Sequence, residues 1–301
     1  MGLFGRSREV GELNERVAST LESAYGAYEH GDYETSSRKF RLALDYLMVE
    51  NELSTQVHIT NDLVVDIAEI FNMTVHSFNN IGRYDESISL LETYGGKFKN
   101  SRRVLLMKAN VYAAKGERSS ELEVYNLLLK IDKKDTGAYI RKAELLHGLK
   151  RADDREIREI LNRAAKYQKA SDTGSCVKLA SAYRRLLGDP DSAQYVLERI
   201  STKRPSGEML VEQAEIHLAR EDPDKAVEIL EKALELDHGH TGAFGTMVRA
   251  YQRKGDYQKA REVCEKGLRI DPSDPDLRRA YRELSGDSGL LRKVKEESTY
   301  L

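Results

Sequence analysis

The sequence predicts an all-α solenoid built from helix–turn–helix units. Three observations carry that expectation. First, a short phrase recurs at a fixed distance. Gly255-Asp256-Tyr257 lies 34 residues after Glu221-Asp222-Pro223, and Gly82-Arg83-Tyr84 lies 34 before Gly116-Glu117-Arg118. Gly31-Asp32-Tyr33 sits 51 before Gly82, one and a half such periods. Second, apolar residues recur at helical spacing, as in Phe244, Met247, Val248 and Tyr251. Third, the stripes are punctuated by residues that end or start helices. Gly255 suits a left-handed cap, Asp256 can cap the next helix, and Asp271-Pro272 closes the unit. A period of this length marks arrays of helix pairs. One pair cannot bury its own apolar face, so the pairs must stack.

Composition narrows the class further. With 301 residues, 40% of them hydrophobic, the chain can build a continuous core, while 33% charged residues point to a thin, well-solvated object. Net charge is only −2 but is unevenly spread: −7 over residues 1–101, +9 over 102–206 and −4 over 207–301. Two distant cysteines, Cys176 and Cys264, make no disulfide framework. No run of about 18 apolar residues is present to span a membrane. The N-terminal residues show no apolar signal region, and Arg6 stands where a myristoylation signal wants Ser or Thr. The expected location is cytoplasmic.

Residues 241–274 give the clearest unit. Its second stripe runs through Ala260, Val263, Cys264, Gly267 and Leu268. The unit resembles the tetratricopeptide repeat (TPR). That family wants a large residue at position four, a small one at eight, Tyr at eleven and Gly-Asp-Tyr near fifteen. It also wants Ala at twenty and twenty-seven and Pro at thirty-two. Here those positions read Phe244, Val248, Tyr251, Gly255-Asp256-Tyr257, Ala260, Gly267 and Pro272. Val248 is bulkier than the family's usual Gly or Ala. The resemblance implies a right-handed superhelical solenoid of about seven helix pairs.

The same frame orders the chain from its start. Residues 1–16 are an N-terminal lead-in. Residues 17–50 give Ala24, Gly31, Tyr33, Ser36, Phe40, Ala43 and Leu44. Residues 51–67 are an insertion. The run Leu63, Val64, Ile67, Ile70, Phe71, Val75 and Phe78 predicts that the next helix starts early, near Thr60 to Asp62. Residues 68–101 add Gly82, Tyr84, Ser87 and Leu91. Residues 102–135 give Leu105, Ala109, Tyr112, Gly116, Tyr125 and Leu128, with Glu121 at a position that wants a small residue. Residues 136–172 give Tyr139, Ala143, Leu146, Ile157, Leu161 and Ala164, with a longer turn around Ala152-Asp153-Asp154. Residues 173–206 give Cys176, Ala180, Tyr183, Gly188, Ala193, Leu197 and Pro205. Residues 207–240 give Leu210, Ala214, His217, Ala226, Ala233 and Leu234. After 241–274, Pro275, Leu277, Ala280, Tyr281 and Leu284 form a capping helix over 275–285, which an array needs to cover its last apolar face. Residues 286–301 are a polar tail.

Nothing in the sequence carries catalytic chemistry. Phosphate loops, nucleophile elbows and HExxH helices are missing. The His238-Gly239-His240 pair has no third ligand nearby in sequence and reads as a turn. No metal or cofactor is expected. Cys176 and Cys264 fall on packing positions, where a free thiol acts as a small hydrophobe. The final Thr299-Tyr300-Leu301 fits a PDZ-type groove only by a short, common pattern.

The resemblance places residues two, five, six, nine, twelve and thirteen of each repeat on the concave face. Candidate partner-binding residues are therefore Tyr25, Tyr28, Asn72, His76, Asn79 and Asn110, then Arg141, Lys178, Arg184, Arg249 and Arg253. Asn offers donors and an acceptor to an extended backbone. Arginines suit a partner's acidic side chains. The family's two-carboxylate chaperone clamp is missing: Asn72 stands where Lys is wanted and His76 where Asn is wanted. The expected function is a non-enzymatic protein–protein scaffold or adaptor holding a partner segment in that groove. The alternative is nucleic-acid binding through the basic middle third (102–206), where Arg151, Arg155, Arg158 and Lys166 share helical spacing. That stripe lies on a second helix, whose outer face is ordinarily solvated, and only Tyr167 is at hand to stack on bases. A nucleic-acid partner is therefore the less favoured expectation.

Overall fold

A computed structural model describes residues 3–48, 56–58, 64–95, 102–200 and 205–285. The polar tail 286–301, including Thr299-Tyr300-Leu301, lies outside the described residues. The chain divides into two compact units, residues 1–133 and 134–301.

The first unit holds α1 (Leu3–Glu29), α2 (Tyr33–Leu47), β1 (Gln56–His58), β2 (Val64–Asp66), α3 (Ile67–Asn80), α4 (Tyr84–Gly95), α5 (Arg102–Lys115) and α6 (Arg118–Ile131). Each helix packs on its neighbour in sequence, from α1 on α2 through to α5 on α6. Leu21, Phe40, Leu44, Ile67, Ile70, Phe71 and Leu90 form the centre of its core. Small polar residues allow the closest approach: the Ser36 hydroxyl of α2 donates to Ser77 Oγ of α3 at 2.8 Å, fully buried. Glu121, standing where a small residue is expected, is buried, yet it stays satisfied. Arg118 donates to it at 2.8 Å, and the Tyr125 hydroxyl at 3.4 Å.

One expectation is overturned here. The helix of the second repeat does not start near Thr60 to Asp62. Those three residues lie outside the described set, but Val64–Asp66 is a strand, paired antiparallel with Gln56–His58 in the register Val57 to Val65. Adjacent β-branched Val64 and Val65 favour that extended state. Asp66 then caps α3, its carboxylate accepting from the Ala68 amide at 2.8 Å. The apolar spacing across 63–67 was compatible with both readings, since short apolar runs do not separate strand from helix.

The second unit holds α7 (Thr136–Gly148), α8 (Asp154–Tyr167), α9 (Thr173–Leu187), α10 (Pro190–Glu198), α11 (Gly207–Ala219), α12 (Pro223–Leu236), α13 (Thr241–Arg253), α14 (Tyr257–Ile270) and α15 (Pro275–Ser285). Its helices start on side-chain caps. Asp135, Asp153, Asp172, Asp189, Asp222 and Asp256 each accept an amide three residues on, at 2.8 to 3.1 Å. For Asp172 and Asp256 these backbone bonds hold the carboxyl below its ordinary range. Within the hairpins, a left-handed residue turns first helix into second. Gly255 does so at φ +74°, as a glycine can without strain. Glu221, one period earlier, adopts φ +60° and Lys150 φ +52°, with a Cβ in the way.

α15 closes the unit by laying Leu277 and Tyr281, both buried, against α13 and α14. The Cys264 thiol of α14 donates to the Leu277 carbonyl at 3.1 Å, and burial pushes that thiol up to about 12. Gly267 makes this contact possible: a Cβ there would stand 2.7 Å from Leu277 Cδ1 and 3.0 Å from Phe244 Cβ.

Two stability outcomes follow from this packing. Ala214 and Ala226 are 0% exposed between crossing helices. Replacing either with Leu is expected to overpack the crossing and cost about 1–3 kcal/mol, read by chemical denaturation. Glu221→Gly relieves a left-handed Cβ and is expected to stabilise the second unit by about 1 kcal/mol, whereas Gly255→Ala should destabilise it by a similar amount. Equal denaturation midpoints for all of these variants and the parent would contradict the packing described.

Candidate functional site

In the second unit the first helix of each hairpin packs on the next: α7 on α9, α9 on α11, α11 on α13 and α13 on α15. One continuous face results, and a polar ladder crosses it. Arg184 of α9 donates from Nε to Glu212 Oε1 at 2.7 Å and from NH2 to Glu212 Oε2 at 3.1 Å. Its third nitrogen lies 3.3 Å from Glu215 Oε2. Arg249 of α13 grips the same Glu215, with NH1 3.2 Å from Oε2, and donates to the Thr246 hydroxyl at 3.1 Å. Thr246 in turn donates to Glu215 at 2.9 Å. Glu212, Glu215 and Thr246 are all buried. Such bidentate, charge-assisted bonds fix both position and plane of a guanidinium. Desolvation alone would lower the Arg184 pKa, but the two carboxylates overcome it and raise the value.

The ladder sorts the expected binding residues. Arg184 is only 16% exposed, its donors turned to the chain's own carboxylates. Arg249 is pinned along one edge yet 55% exposed. Arg253 donates from NH1 to the Leu218 carbonyl, tying α13 to α11. Arg141 and Arg185 reach Glu144 from α7 and α9, at 3.2 and 3.5 Å, and stay largely exposed. Lys178 is exposed on α9. At the α13–α15 end an open groove of about 710 Å³ is lined by Arg249, Gln252, Gly242, Gly245, Arg279 and Glu283, among others.

The first unit gathers a different set. Tyr28 meets His76 across α1 and α3, the hydroxyl and Nδ1 hydrogen-bonded at 2.9 Å. Tyr25 stacks edge-on to Phe40 at 5.0 Å, and Tyr33 adds its ring to the Tyr28–His76 cluster. Tyr28, Tyr33 and His76 thus form one aromatic group. Asn79 accepts from the Ser87 hydroxyl at 2.8 Å and so links α3 to α4. Asn72 is half-buried, and Asn110 is exposed on α5.

Outside these faces, His240 caps α13, with Nδ1 accepting from the Ala243 amide at 3.3 Å, while His238 is exposed. Among the described residues no group of three His, Cys, Asp or Glu side chains is placed to hold a metal ion.

Comparison with known proteins agrees with this geometry. Residues 178–240 match one tetratricopeptide repeat family model and residues 217–284 another. Residues 178–284 are tetratricopeptide repeats. A tetratricopeptide repeat protein from Parabacteroides merdae superimposes with a TM-score of 0.60 at 12% identity, over 91% of this chain and 100% of that one. The Cut9–Hcn1 hetero-tetramer of APC/C gives 0.50 at 11% identity, over 93% of this chain and 55% of that one. The type IV pilus biogenesis factor PilW gives 0.50 at 14%, over 65% of this chain and 90% of its own. At these identities the likeness is one of fold. No curated protein matches the sequence. No helix among the described residues is long and apolar enough to cross a membrane.

The repeat frame puts Arg184, Glu212, Glu215 and Arg249 on one face. Their pairing went unread, although Glu215 and Arg249 stand one 34-residue period apart. Opposite charges at that separation on face positions are the signal that finds the ladder. Glu212→Ala should strand the Arg184 guanidinium with half its partners, costing about 3 kcal/mol or more. Denaturant titration of that variant reads the loss. An unchanged midpoint would mean that the ladder does not form in solution.

Proposed function

We propose that the protein is a non-enzymatic scaffold that holds a segment of a partner protein on the faces lined by its first helices. TPR folds serve protein–protein interaction generally. The observation that supports the reading here is the second unit's ladder. It fixes a polar surface before any partner arrives while leaving Arg141, Lys178, Arg185 and half of Arg249 open to solvent. A surface already ordered loses less side-chain entropy on binding. In the first unit the Tyr28–Tyr33–His76 cluster offers rigid aromatic area, with Asn72 and Asn110 nearby in the repeat frame to read backbone.

The nucleic-acid alternative is weakened by what surrounds the basic stripe of α8. Arg158 is paired with Asp189 and Arg155 lies 3.7 Å from Glu159, so part of that charge is neutralised locally. Phosphate binding needs uncompensated cations in a row.

Site-specific photo-crosslinking in the native cell tests the proposal. A crosslinker at Asn110 or Lys178 should give protein adducts that persist after nuclease treatment, and one at Arg155, on a second helix, should give few. Asn72→Ala should weaken the adduct formed from position 110. Adducts mainly from Arg155, lost on nuclease treatment, would refute the scaffold reading in favour of nucleic acid.

A further inference from the structure

We infer that the open groove between α13 and α15 is a docking site for this chain's own residues 290–295, Leu-Leu-Arg-Lys-Val-Lys. This rests on the reading of the first-helix faces as binding surfaces, and adds what covers one end of them. The groove's volume of about 710 Å³ is in the range of sites that enclose a ligand. Its floor is apolar, made by Val211 of α11, Val248 of α13, and Leu277 and Ala280 of α15. Gly245 adds a bare stretch of α13, since a Cβ there would meet nothing within 4 Å. The walls are negative once their internal ion pairs are set aside. Arg249 is bonded to Glu215, and Arg279 lies 3.2 Å from Asp276. Two further carboxylates line the groove, Asp274 and Glu283. Asp274 caps α15, accepting the amides of Asp276 and Leu277 at 3.0 and 2.8 Å. Among the described residues neither Asp274 nor Glu283 has a cation partner. An occupant that fits brings apolar side chains for the floor and cations for the walls.

Residues 290–295 have that composition. Leu290, Leu291 and Val294 are apolar, Arg292, Lys293 and Lys295 are basic, and no acid interrupts them. They also follow the groove's own wall in the chain. α15 ends at Ser285, two residues past Glu283, and five chain steps lead from Ser285 to Leu290. Five steps reach at most about 17 Å. A helix with its side chains is about 10–12 Å across, so the segment is long enough to return to the helix it leaves. Tethering at that length holds the segment near the groove at roughly millimolar effective concentration, so weak contacts suffice to keep it there. A partner segment that extends to α13 has to displace it.

Two measurements on the full chain test this, and neither needs a partner. In the first, a labelled synthetic peptide of residues 287–297 is titrated by fluorescence anisotropy. The parent's own segment competes with it. A chain carrying Arg292→Glu, Lys293→Glu and Lys295→Glu should therefore bind the peptide about tenfold tighter or more. Adding Glu283→Lys, at an exposed site, should weaken that binding again. In the second, Gly245→Cys with Leu291→Cys should form an intramolecular disulfide under mild oxidation. It should form faster than the pair Gln258→Cys with Leu291→Cys, because Gln258 is exposed on α14, away from the groove lining. Both native cysteines are buried and do not compete. Equal peptide affinity for the parent and the triple variant would mean that the groove takes such segments only from other molecules, and would overturn the chain's own occupancy. No peptide binding, together with equal disulfide rates, would overturn the site altogether. Either result leaves the scaffold reading to its separate test, the crosslinks from Asn110 and Lys178.

Discussion

Everything in this protein depends on one constraint: a single helix hairpin cannot hide its apolar side, so each must lie close against the next. Closeness is set by the smallest side chains at the crossings. Ser36 and Ser77 in the first unit, and Ala214, Ala226 and Ala260 in the second, are 0% exposed because helix axes approach over them. Where the chain departs from smallness it adds chemistry to compensate. Glu121 occupies such a crossing only because Arg118 and Tyr125 satisfy its oxygens. The terminal hairpin has no following repeat, and α15 supplies the missing cover with Leu277 and Tyr281 while presenting charged residues outward.

The same stacking recurs at the surface in a form too weak to hold it together. Lys115 reaches Asp85, Arg220 reaches Asp191 and Lys254 reaches Asp224, each joining the end of one hairpin's first helix to the start of the preceding second helix. The acids in these pairs are largely exposed, and such contacts contribute little apiece. They repeat because the repeat geometry brings those two positions together. The buried small residues, not these pairs, carry the stability.

The helices were legible in the sequence because each relies on local signals: an apolar stripe, an Asp cap, a glycine turn. Lys150 shows the limit. It takes the left-handed turn position without being a glycine, and only its place one period after Gly116 marks it. The pairing of strands 56–58 and 64–66 was not legible because Val64 and Val65 continue a helical apolar spacing while favouring strand, and Asp66 settles the boundary by capping at Ile67. Candidate face residues followed from the repeat frame. What they bond to did not, since Arg184 meets Glu212 across 28 residues and hydrogen-bond partners at that range are not encoded in any local pattern.

That difference bears on how the ladder is to be read. Replacing a buried ion pair with apolar residues is often neutral or stabilising, so Glu212 and Glu215 are a poor device for stability alone. They stand on the face that also bears the exposed cations, and not in the hairpin interior where Ala214 and Ala226 do the packing. Buried carboxylates there lock Arg184 and Arg249 in plane. A guanidinium held that way loses less freedom when a partner binds. The lock rests on the distance between helices, and so returns to the small residues that set it.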